Sequence, residues 1–294
     1  MGERSTSAMN VKVALHLGRV SNLPTIWTNC LVGALLSNNF IFDYRIFFLL
    51  LSMSLLYVSG MFLNDAFDYL VDIKEYPHRP IPSGQVPHTT VFAWGILLML
   101  FGLLCFFLSL FTEETGLRGL NGVISTLALC MLIVFYDWKH KENPFGPFLM
   151  GACRGGVYLT AGLVYVSAPS NELILAALMG FLWIVGITFL AKQETQRRTQ
   201  LWPVLFLIAP SLVYGITKIS VGTGLMLFLL LIVIGYAVFY FKKGGYGVAI
   251  STLIAAISLL DGLLLAFGGF EWAALLALCM TPFTLVLQRL IPAT

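Results

Sequence analysis

The sequence predicts an all-α fold, a polytopic membrane bundle of nine or ten transmembrane helices. Of its 294 residues, 59% are hydrophobic and only 11% are charged, whereas soluble domains carry about 25% charged residues. The apolar runs are about 17 to 23 residues long, which is the length that a helix needs to cross a bilayer. The alternating strands of an outer-membrane barrel do not occur in the sequence. These observations exclude a water-soluble globule, a disordered chain and a secreted disulfide scaffold.

Ten apolar segments follow one another along the chain, and polar or turn-forming residues separate them. In order, we predict helices at 23–37, 46–63, 89–111, 119–136, 148–167, 173–191, 201–217, 222–241, 247–267 and 271–288. The tenth segment could instead lie half-buried at the membrane surface, which would leave nine spans. Because no separate polar domain interrupts the series, we interpret residues 1–294 as a single membrane domain.

The loops between these segments alternate in charge. One set of loops carries most of the basic residues, namely Arg4, Lys12, Arg19, Lys74, Arg79, Lys139, Lys141, Lys192, Arg197, Arg198, Lys242, Lys243 and Arg289. The opposite set carries only Arg45, Arg118 and Lys218. Because loops rich in lysine and arginine stay in the cytoplasm, we predict an integral, multi-pass protein of a bacterial cytoplasmic membrane. Its N-terminus and its three long polar loops, after segments 2, 4 and 6, then face the cytoplasm.

An acidic cluster ends the second segment, in the string NDAFDYLVD. If the helix continues through it, Asp65, Asp68 and Asp72 fall at positions i, i+3 and i+7 on one face. Carboxylates about 6 Å apart repel each other by about 3 kcal/mol at an effective dielectric of about 20, so a cation is expected to neutralise them. Magnesium suits the position because it takes one or two carboxylates and fills its shell with water and substrate phosphate. A solvated, acid-capped helix end is the alternative.

Arg79 follows this cluster in a loop that contains Pro80, Pro82 and Gly84. Prolines and glycines fix the backbone of a turn, so we expect the Arg79 guanidinium to lie near the carboxylates. A metal ion and a guanidinium beside acids suit a diphosphate, because guanidinium groups bind phosphate oxygens in a bidentate manner. The sequence therefore predicts a diphosphate site at the cytoplasmic mouth of the bundle.

The string NDAFDYLVD followed by RPIPSG resembles the first aspartate-rich motif of the UbiA-type intramembrane prenyltransferases. The likeness extends to the place of the motif at the end of the second span and to the other loops over nearly the whole chain. It implies an all-helical fold, a magnesium-bound isoprenyl diphosphate and an acceptor prenylated at the membrane. On this resemblance, Asn64 and the catalytic residues Asp65, Asp68 and Asp72 would hold Mg²⁺ and diphosphate, and Arg79 would help to bind the diphosphate.

The chain departs from this family after segment 6, where a second aspartate-rich motif is usual. Only Glu194 supplies a carboxylate there as a further metal ligand, and Arg197 and Arg198 stand where acids are common. A guanidinium replaces part of a metal's charge and binds phosphate, so we interpret both arginines as diphosphate ligands. The alternatives are a site without diphosphate chemistry and an ordinary positively charged loop.

The loop after segment 4 begins with Tyr136, as it does in the family, and the resemblance makes this tyrosine a substrate contact. Lys139 or Lys141 would be the diphosphate-binding cation that the family carries a few positions on. Asp137 is unusual there and could orient a lysine or supply a further oxygen to the metal. Arg19, ahead of segment 1, resembles a basic residue near the family's substrate mouth, and a topology-setting charge is its alternative.

Two charged residues fall inside predicted spans and are candidates for contact with the substrate or acceptor. Arg154 lies about one turn inside segment 5, and Asp261 lies well inside segment 9. A buried arginine is costly unless it is paired, so we expect Arg154 to meet a carboxylate or the diphosphate. Asp261 could contact the acceptor or Arg154, and a structural hydrogen bond between helices is an equal alternative.

These features predict an enzyme that transfers an isoprenyl group from its diphosphate to a small aromatic acceptor, with Mg²⁺ assisting ionisation of the donor. Aromatic side chains in the bundle could stabilise the allylic cation and keep water away. The expected partners are the donor, the acceptor and the lipid bilayer, and the net charge of +3 is too slight to indicate nucleic acid. The alternatives are an intramembrane isoprenoid cyclase without an acceptor and a carrier or channel-like bundle. Charges crowd the mouth rather than the midplane, which favours an enzyme over a carrier.

Overall fold

The computed structural model describes residues 9–112, 116–117, 119–139, 143–196, 199–216 and 220–292. In these ranges the chain forms helices, plus one short hairpin. The helices are α1 (Val11–Leu17), α2 (Leu23–Leu35), α3 (Tyr44–Phe67), α4 (Tyr69–Glu75), α5 (His88–Leu110), α6 (Leu120–Lys139), α7 (Gly146–Gly162), α8 (Asn171–Gln196), α9 (Val204–Gly215), α10 (Val221–Lys242), α11 (Tyr246–Ala255), α12 (Ile257–Phe267) and α13 (Glu271–Leu290). The hairpin pairs β1 (Phe111–Thr112) with β2 (Gly116–Leu117) in antiparallel fashion. The predicted all-α class is confirmed.

Several of these helices can cross a membrane. Within the described ranges, seven stretches are long and apolar enough by length and composition, namely Tyr44–Phe67, His88–Leu110, Leu120–Lys139, Asn171–Glu194, Val221–Lys242, Tyr246–Phe267 and Glu271–Leu290. Each of the ten predicted segments coincides with a helix, or with the pair α11 and α12. Helices α2, α7 and α9 are shorter, with 13, 17 and 12 residues. The multi-pass architecture is confirmed, whereas the number of nine or ten spans stays a prediction.

Helix α3 carries the acidic cluster at its C-terminal end, and α5 fixes it in place. The hydroxyls of Ser52 and Ser59 on α3 donate to the carbonyl oxygens of Gly102 and Gly95 on α5, each at 2.7 Å. Both serines are fully buried. In an apolar surrounding, hydroxyl groups of this kind join helices because they have no water to bond instead. Helix α3 is therefore attached to α5 at two levels that are seven residues apart.

The centre of the bundle is formed by α2, α7, α8 and α12. Helix α2 crosses α7 at Gly33, where an added Cβ atom would lie 2.5 Å from the carbonyl oxygen of Tyr158. Only glycine permits this approach, and it brings the buried side chain of Tyr158 beside α2. One large apolar cluster is built mainly from α8 to α13, and a second from α2, α3 and α5 to α7.

The ninth predicted segment is broken inside the protein. Helix α11 ends at Ala255 and α12 begins at Ile257, so the break falls at Ala256. The indole nitrogen of the fully buried Trp183 donates to the carbonyl oxygen of Leu253 at 3.2 Å. A broken helix is tolerated within a bilayer where side chains bond the freed backbone groups. The indole of Trp183 supplies such a bond beside the break.

Candidate active site

The acidic cluster lies where α3 ends and α4 begins. Because α3 ends at Phe67 and α4 starts at Tyr69, the expected continuous helix is interrupted at Asp68, although that residue keeps helical φ and ψ angles of −77° and −7°. Asp65, Asp68 and Asp72 are buried, with exposed fractions of 8%, 6% and 1%. The three carboxylates therefore lie within the protein and not in bulk water.

The predicted approach of Arg79 to the acids is confirmed. Its Nη1 atom donates to Oδ2 of Asp72 at 2.7 Å, and its guanidinium lies 4.5 Å from the centre of the Tyr76 ring. Burial opposes the charge of Arg79, but the hydrogen bond to Asp72 and the charges of Asp72, Asp65 and Asp68 outweigh it and raise the pKa of Arg79. Arg79 is therefore a permanent cation beside the acidic cluster.

Arg19 approaches the same cluster from the N-terminal segment. Its Nη2 atom lies 3.3 Å from Oδ1 of Asp65, and its Nη1 atom donates to the sulfur of Met61 at 3.4 Å. Its backbone has φ 42° and ψ 46°, the left-handed region that residues other than glycine rarely adopt. This turn between α1 and the short 3₁₀ helix Val20–Asn22 is thus strained, and such strain is often found at functional sites.

A polar cavity of about 710 Å³ opens at this end of the bundle. Asp65, Arg19, Arg79 and Glu194 line it, so candidates from four separate parts of the sequence come together. Glu194 itself is exposed. The cavity thus combines two carboxylates with two guanidinium groups, a set that can hold a cation and an anion together.

Of the other predicted diphosphate-binding cations, the structure describes only Lys139, which does not line this cavity. Lys139 is exposed, and its Nζ atom lies 4.6 Å from the centre of the Trp138 ring. Lys141, Arg197 and Arg198 lie outside the described residues. Their predicted contact with a diphosphate stays a prediction.

A second cavity lies between the helices and is mainly apolar. Side chains from α2, α3, α6, α7 and α8 line it, among them Ile26, Met53, Leu129, Val157 and Ile184. Met61, the sulfur partner of Arg19, also lines it and lies one helical turn before Asp65 on α3. The apolar cavity therefore begins about one turn below the polar one.

Tyr136 and Asp137 form the polar end of the apolar cavity. Asp137 is buried, and the side-chain amide of Asn64 donates to its Oδ1 atom at 3.3 Å. No described residue donates to its Oδ2 atom. Asp137 therefore pairs with Asn64 of the aspartate-rich motif, and Lys139 does not contact it.

The residues at the mouth fit magnesium by their chemistry. Among the described residues, no three His, Cys, Asp or Glu side chains converge closely enough to enclose a metal ion. Magnesium needs only one or two protein carboxylates and takes its other ligands from water and phosphate oxygens. Asp65 and Asp68, with the amide oxygen of Asn64, supply such a set, and the free Oδ2 atom of the neighbouring Asp137 adds a carboxylate oxygen.

Asp261 is the centre of a buried hydrogen-bond network and is fully inaccessible to solvent. Its Oδ2 atom accepts from the Thr28 hydroxyl at 2.5 Å and from the Asn29 amide at 2.7 Å, and its Oδ1 atom accepts from the Tyr158 hydroxyl at 2.5 Å. Three helices, α2, α7 and α12, meet in this network. Of the alternatives for Asp261, the hydrogen bond between helices is the one that the structure shows, and Asp261 does not touch Arg154 directly.

Arg154 lines the apolar cavity and contacts neutral groups. Its Nη1 atom donates to Oδ1 of Asn29 at 2.6 Å and to the Thr25 hydroxyl at 3.4 Å. Of the two expected partners of Arg154, a carboxylate is wrong for the described part of the chain, because Asn29 lies between Arg154 and Asp261. The reason is geometric, since the amide of Asn29 can donate to the acid and accept from the guanidinium at the same time. Contact with the diphosphate stays a prediction.

Sequence reasoning missed Thr28, Asn29 and Tyr158, the partners of Asp261. Polar side chains inside an apolar span are the signal that could have found Thr28 and Asn29, because a bilayer offers no water to satisfy them. Their convergence with Tyr158 is a tertiary event that helical spacing within one segment does not show.

The sequence profile of the family described as the UbiA prenyltransferase family matches residues 26–263 of the chain. The chain belongs to the UbiA prenyltransferase family. A digeranylgeranylglyceryl phosphate synthase from Methanocaldococcus jannaschii is 30% identical over 158 residues, which are 52% of this chain and 52% of that protein. The chain thus spans about half the length of this and other curated relatives that it matches.

Two solved structures share the UbiA fold with the chain. A digeranylgeranylglyceryl phosphate synthase in membranes is 21% identical with a TM-score of 0.59, over 89% of this chain and 98% of that one. A UbiA homologue from Archaeoglobus fulgidus, bound to GPP and Mg²⁺, is 13% identical with a TM-score of 0.54, over 88% and 99% of the two chains. These similarities confirm the predicted family and fold.

Proposed function

We propose that this UbiA family member transfers an isoprenyl group from an isoprenyl diphosphate to a small acceptor in the membrane. The observation that carries the proposal is the position of two cavities, a charged one at the mouth and an apolar one about a helical turn deeper. The charged lining of the first suits a diphosphate, and the apolar lining of the second suits a hydrocarbon chain. The wider assignment of the protein to a bacterial cytoplasmic membrane, with this mouth in the cytoplasm, is part of the proposal and rests on loop charges.

The roles of the mouth residues follow from their contacts. Bound Mg²⁺ would neutralise the diphosphate oxygens as the C1–O bond breaks. Asp65 and Asp68, with Asn64, would hold the metal, and Asp72 orients Arg79 towards the donor. We assign diphosphate binding to Arg19 and Arg79 from their position at the cavity, because a guanidinium binds phosphate oxygens in a planar, paired geometry.

The remaining candidates have supporting roles in the proposal. Glu194 on α8, which lines the polar cavity, would add a carboxylate at its edge. Tyr136 lines the apolar cavity where the donor's first carbons would lie. Lys139, Lys141, Arg197 and Arg198 would add positive charge at the mouth, replacing part of the missing second acidic motif.

Bond changes in the transfer are simple. The C1–O bond of the donor breaks and its electron pair leaves with the diphosphate, while a nucleophilic atom of the acceptor forms the new bond to C1 and gives up its proton. The mainly apolar cavity keeps water from the allylic carbon.

Support for this chemistry comes from the named relatives, which are digeranylgeranylglyceryl phosphate synthases, and from the A. fulgidus homologue bound to GPP and Mg²⁺. Both an aromatic acceptor and a glyceryl phosphate lipid are therefore acceptor classes to test.

Arg154 favours transfer over the alternative of cyclisation. A cyclase must move a carbocation through its cavity, and a fixed guanidinium on the cavity wall repels such a cation. The carrier alternative is disfavoured because the described charges crowd one mouth and the remaining buried acid, Asp261, is enclosed by hydrogen bonds.

The test incubates the purified protein with Mg²⁺, isoprenyl diphosphates of several chain lengths, and a set of aromatic and glyceryl phosphate acceptors. Released diphosphate and prenylated products are identified by mass spectrometry. We expect both products with the wild type and neither with the double variant Asp65→Asn and Asp68→Asn. Diphosphate release that is unchanged in this variant would remove the acidic cluster from the mechanism.

A matched control is Asp43→Asn. Asp43 also pairs with an arginine, Arg45, at 2.8 Å, but at the opposite end of α3. An asparagine there keeps an oxygen to cap the helix. This variant should transfer the isoprenyl group at the wild-type rate.

A further inference from the structure

Arg154 is a charged group inside a membrane helix that the diphosphate chemistry does not use. It lies eight residues into α7, about 12 Å from the start of that helix. Among the described residues no carboxylate lies within ion-pair distance of it, because the ion pairs found there are Arg19–Asp65, Arg45–Asp43 and Arg79–Asp72. A guanidinium at this depth is costly without a compensating anion.

The surroundings hold the Arg154 guanidinium in one orientation. Both hydrogen bonds that described residues accept from it use Nη1, with Asn29 and Thr25 as acceptors. Its Nη2 and Nε groups donate to no described residue, while the side chain lines the apolar cavity. Donors of a planar guanidinium are thus available for something inside that cavity.

Asn29 cannot turn away from Arg154, because its amide is fully committed. Its Nδ2 atom donates both to Oδ2 of Asp261 at 2.7 Å and to the Tyr158 hydroxyl at 2.8 Å. The Oδ1 atom must then face Arg154, which donates to it at 2.6 Å. Asp261 therefore fixes Asn29, and Asn29 fixes the arginine. Asp261 acts as a positioning residue for a cation that it does not touch.

We propose that Arg154 binds an oxyanion of the acceptor, a carboxylate or a phosphate, at the inner end of the apolar cavity. This inference rests on the proposed transferase function and names the chemistry of its second substrate. Three observations carry it. The Arg154 guanidinium is held in one orientation and has donors that no described residue uses. No described carboxylate lies beside it, and the rest of the cavity wall around it is mainly apolar.

The position of Arg154 separates this oxyanion from the donor diphosphate. Asp65, proposed to hold the metal, and Arg19 and Arg79, proposed to bind the diphosphate, line the polar cavity, whereas Arg154 lines the apolar one. A fixed cation would also repel the allylic carbon as it becomes positive. An acceptor held by Arg154 at its oxyanion would therefore point its nucleophilic end towards the mouth, where the C1–O bond breaks.

The test measures binding of acceptor probes and of the donor separately, with the full-length protein in lipid nanodiscs. One arm compares 4-hydroxybenzoate with the neutral 4-hydroxybenzamide, and the other compares geranylgeranylglyceryl phosphate with geranylgeranylglycerol. A non-hydrolysable isoprenyl diphosphate with Mg²⁺ reports donor binding. The two arms distinguish a carboxylate from a phosphate as the bound group.

We expect Arg154→Gln to weaken binding of the anionic probe about tenfold to a hundredfold, the worth of a charge-assisted hydrogen bond. Donor affinity and binding of the neutral probe should stay within about twofold of the wild type. Arg154→Lys keeps the charge but not the planar fork, so its loss should be smaller. Arg289→Gln, an exposed residue on α13, is the matched control and should change nothing.

The positioning role of Asp261 is tested by Asp261→Asn, which no longer fixes the Asn29 amide. We expect a loss of anionic-probe affinity that is smaller than that of Arg154→Gln, with donor binding unchanged. Unchanged donor binding also shows that each variant is folded.

Three results would overturn the inference. They are equal wild-type affinity for the anionic and neutral probes in both arms, unchanged anionic-probe affinity in Arg154→Gln, and a loss of donor affinity as large as that of the probe. If the wild type binds anionic probes through Arg154 but releases no diphosphate from any donor, the transferase proposal fails, and Arg154 remains an oxyanion site without an acceptor role. If the wild type releases diphosphate but binds anionic and neutral probes equally well, the transferase proposal stands and the Arg154 inference fails.

Discussion

Asp72 and Arg79 are joined by a hydrogen bond of 2.7 Å between Oδ2 and Nη1, across the turn that follows the acidic cluster. Asp72 is 1% exposed, so the pair is formed on the protein side of the loop. The guanidinium also lies against the Tyr76 ring. Arg79 is thus held in place before any diphosphate arrives, which lowers the ordering cost of binding.

Asp72→Asn should release Arg79 and raise the KM for the isoprenyl diphosphate about tenfold, since a charge-assisted bond is worth about 1.5–3 kcal/mol. The maximal rate should fall less than the affinity, because Asp65 and Asp68 remain. Steady-state kinetics with varied donor measure both. A fall in rate with unchanged KM would instead place Asp72 among the metal ligands.

The pH dependence of donor binding should distinguish Arg79 from a lysine. Because the hydrogen bond to Asp72 and the charges of the three aspartates raise the pKa of Arg79 above its ordinary value, the charged pair is complete at every pH below that value and is lost only above it. Arg79 should therefore cause no loss of donor affinity between about pH 7 and 10. In Arg79→Lys the affinity should decline as the pH approaches about 10.4, the ordinary lysine value. Equal pH profiles for the two proteins would show that residue 79 does not contact the donor.

Removal of Mg²⁺ by a chelator should abolish diphosphate release, and added Mg²⁺ should restore it. The double variant Asp65→Asn and Asp68→Asn should need much more Mg²⁺ for any activity, because two hard oxygen ligands lose their charge. Donor binding measured by calorimetry at several Mg²⁺ concentrations gives the comparison. Full activity in the presence of the chelator would contradict a metal-assisted ionisation.

Arg19→Gly should separate stability from function. The left-handed backbone of Arg19 favours glycine, so the variant should unfold at the same temperature as the wild type or a higher one. Donor affinity should nevertheless fall, by about fivefold to fiftyfold, because the guanidinium beside Asp65 is gone. Thermal unfolding in nanodiscs and donor titration provide the two readings. Unchanged donor affinity would leave Arg19 as a topology-setting charge.

Gly33→Ala should destabilise the bundle by about 1–3 kcal/mol, the usual cost of an added methyl group in a packed interior. The new Cβ atom would lie 2.5 Å from the carbonyl oxygen of Tyr158 and push α2 away from α7. Gly235→Ala on α10 is the matched control, since nothing lies within 4 Å of its added Cβ. Thermal unfolding of both variants gives the comparison, and equal midpoints would show that the two helices can separate at no cost.

Much of the fold could be predicted because the bilayer imposes it. Ten apolar runs in the sequence coincide with helices, and the Pro80–Gly84 loop returns Arg79 to the acids as expected. Both results depend on local properties, namely the length of an apolar run and the turn chemistry of a short loop. The interruption of the helix at Asp68 was not predicted. It involves one residue with helical dihedral angles, and no glycine or proline in the sequence indicates it.

The interior of the site could not be predicted in the same way. The pairing of Asn64 with Asp137 joins residues 73 positions apart, and that of Asn29 with Asp261 joins residues 232 positions apart. Such contacts depend on which helices pack together, and charge alone suggested a direct pair between Arg154 and a carboxylate. The amide of Asn29 satisfies both charged groups, a solution that a count of charges does not reveal.

The two serine bonds between α3 and α5 restrict how the mouth can open for its substrates. Rolling α3 about its long axis would break the bonds from Ser52 and Ser59 together, in a medium without water to replace them. We therefore expect the aspartates, and Arg79 bonded to Asp72, to stay still while α1 moves aside. Entry of the substrates and release of the products would then depend on movement of α1, at the mouth of the bundle and outside the hydrocarbon layer.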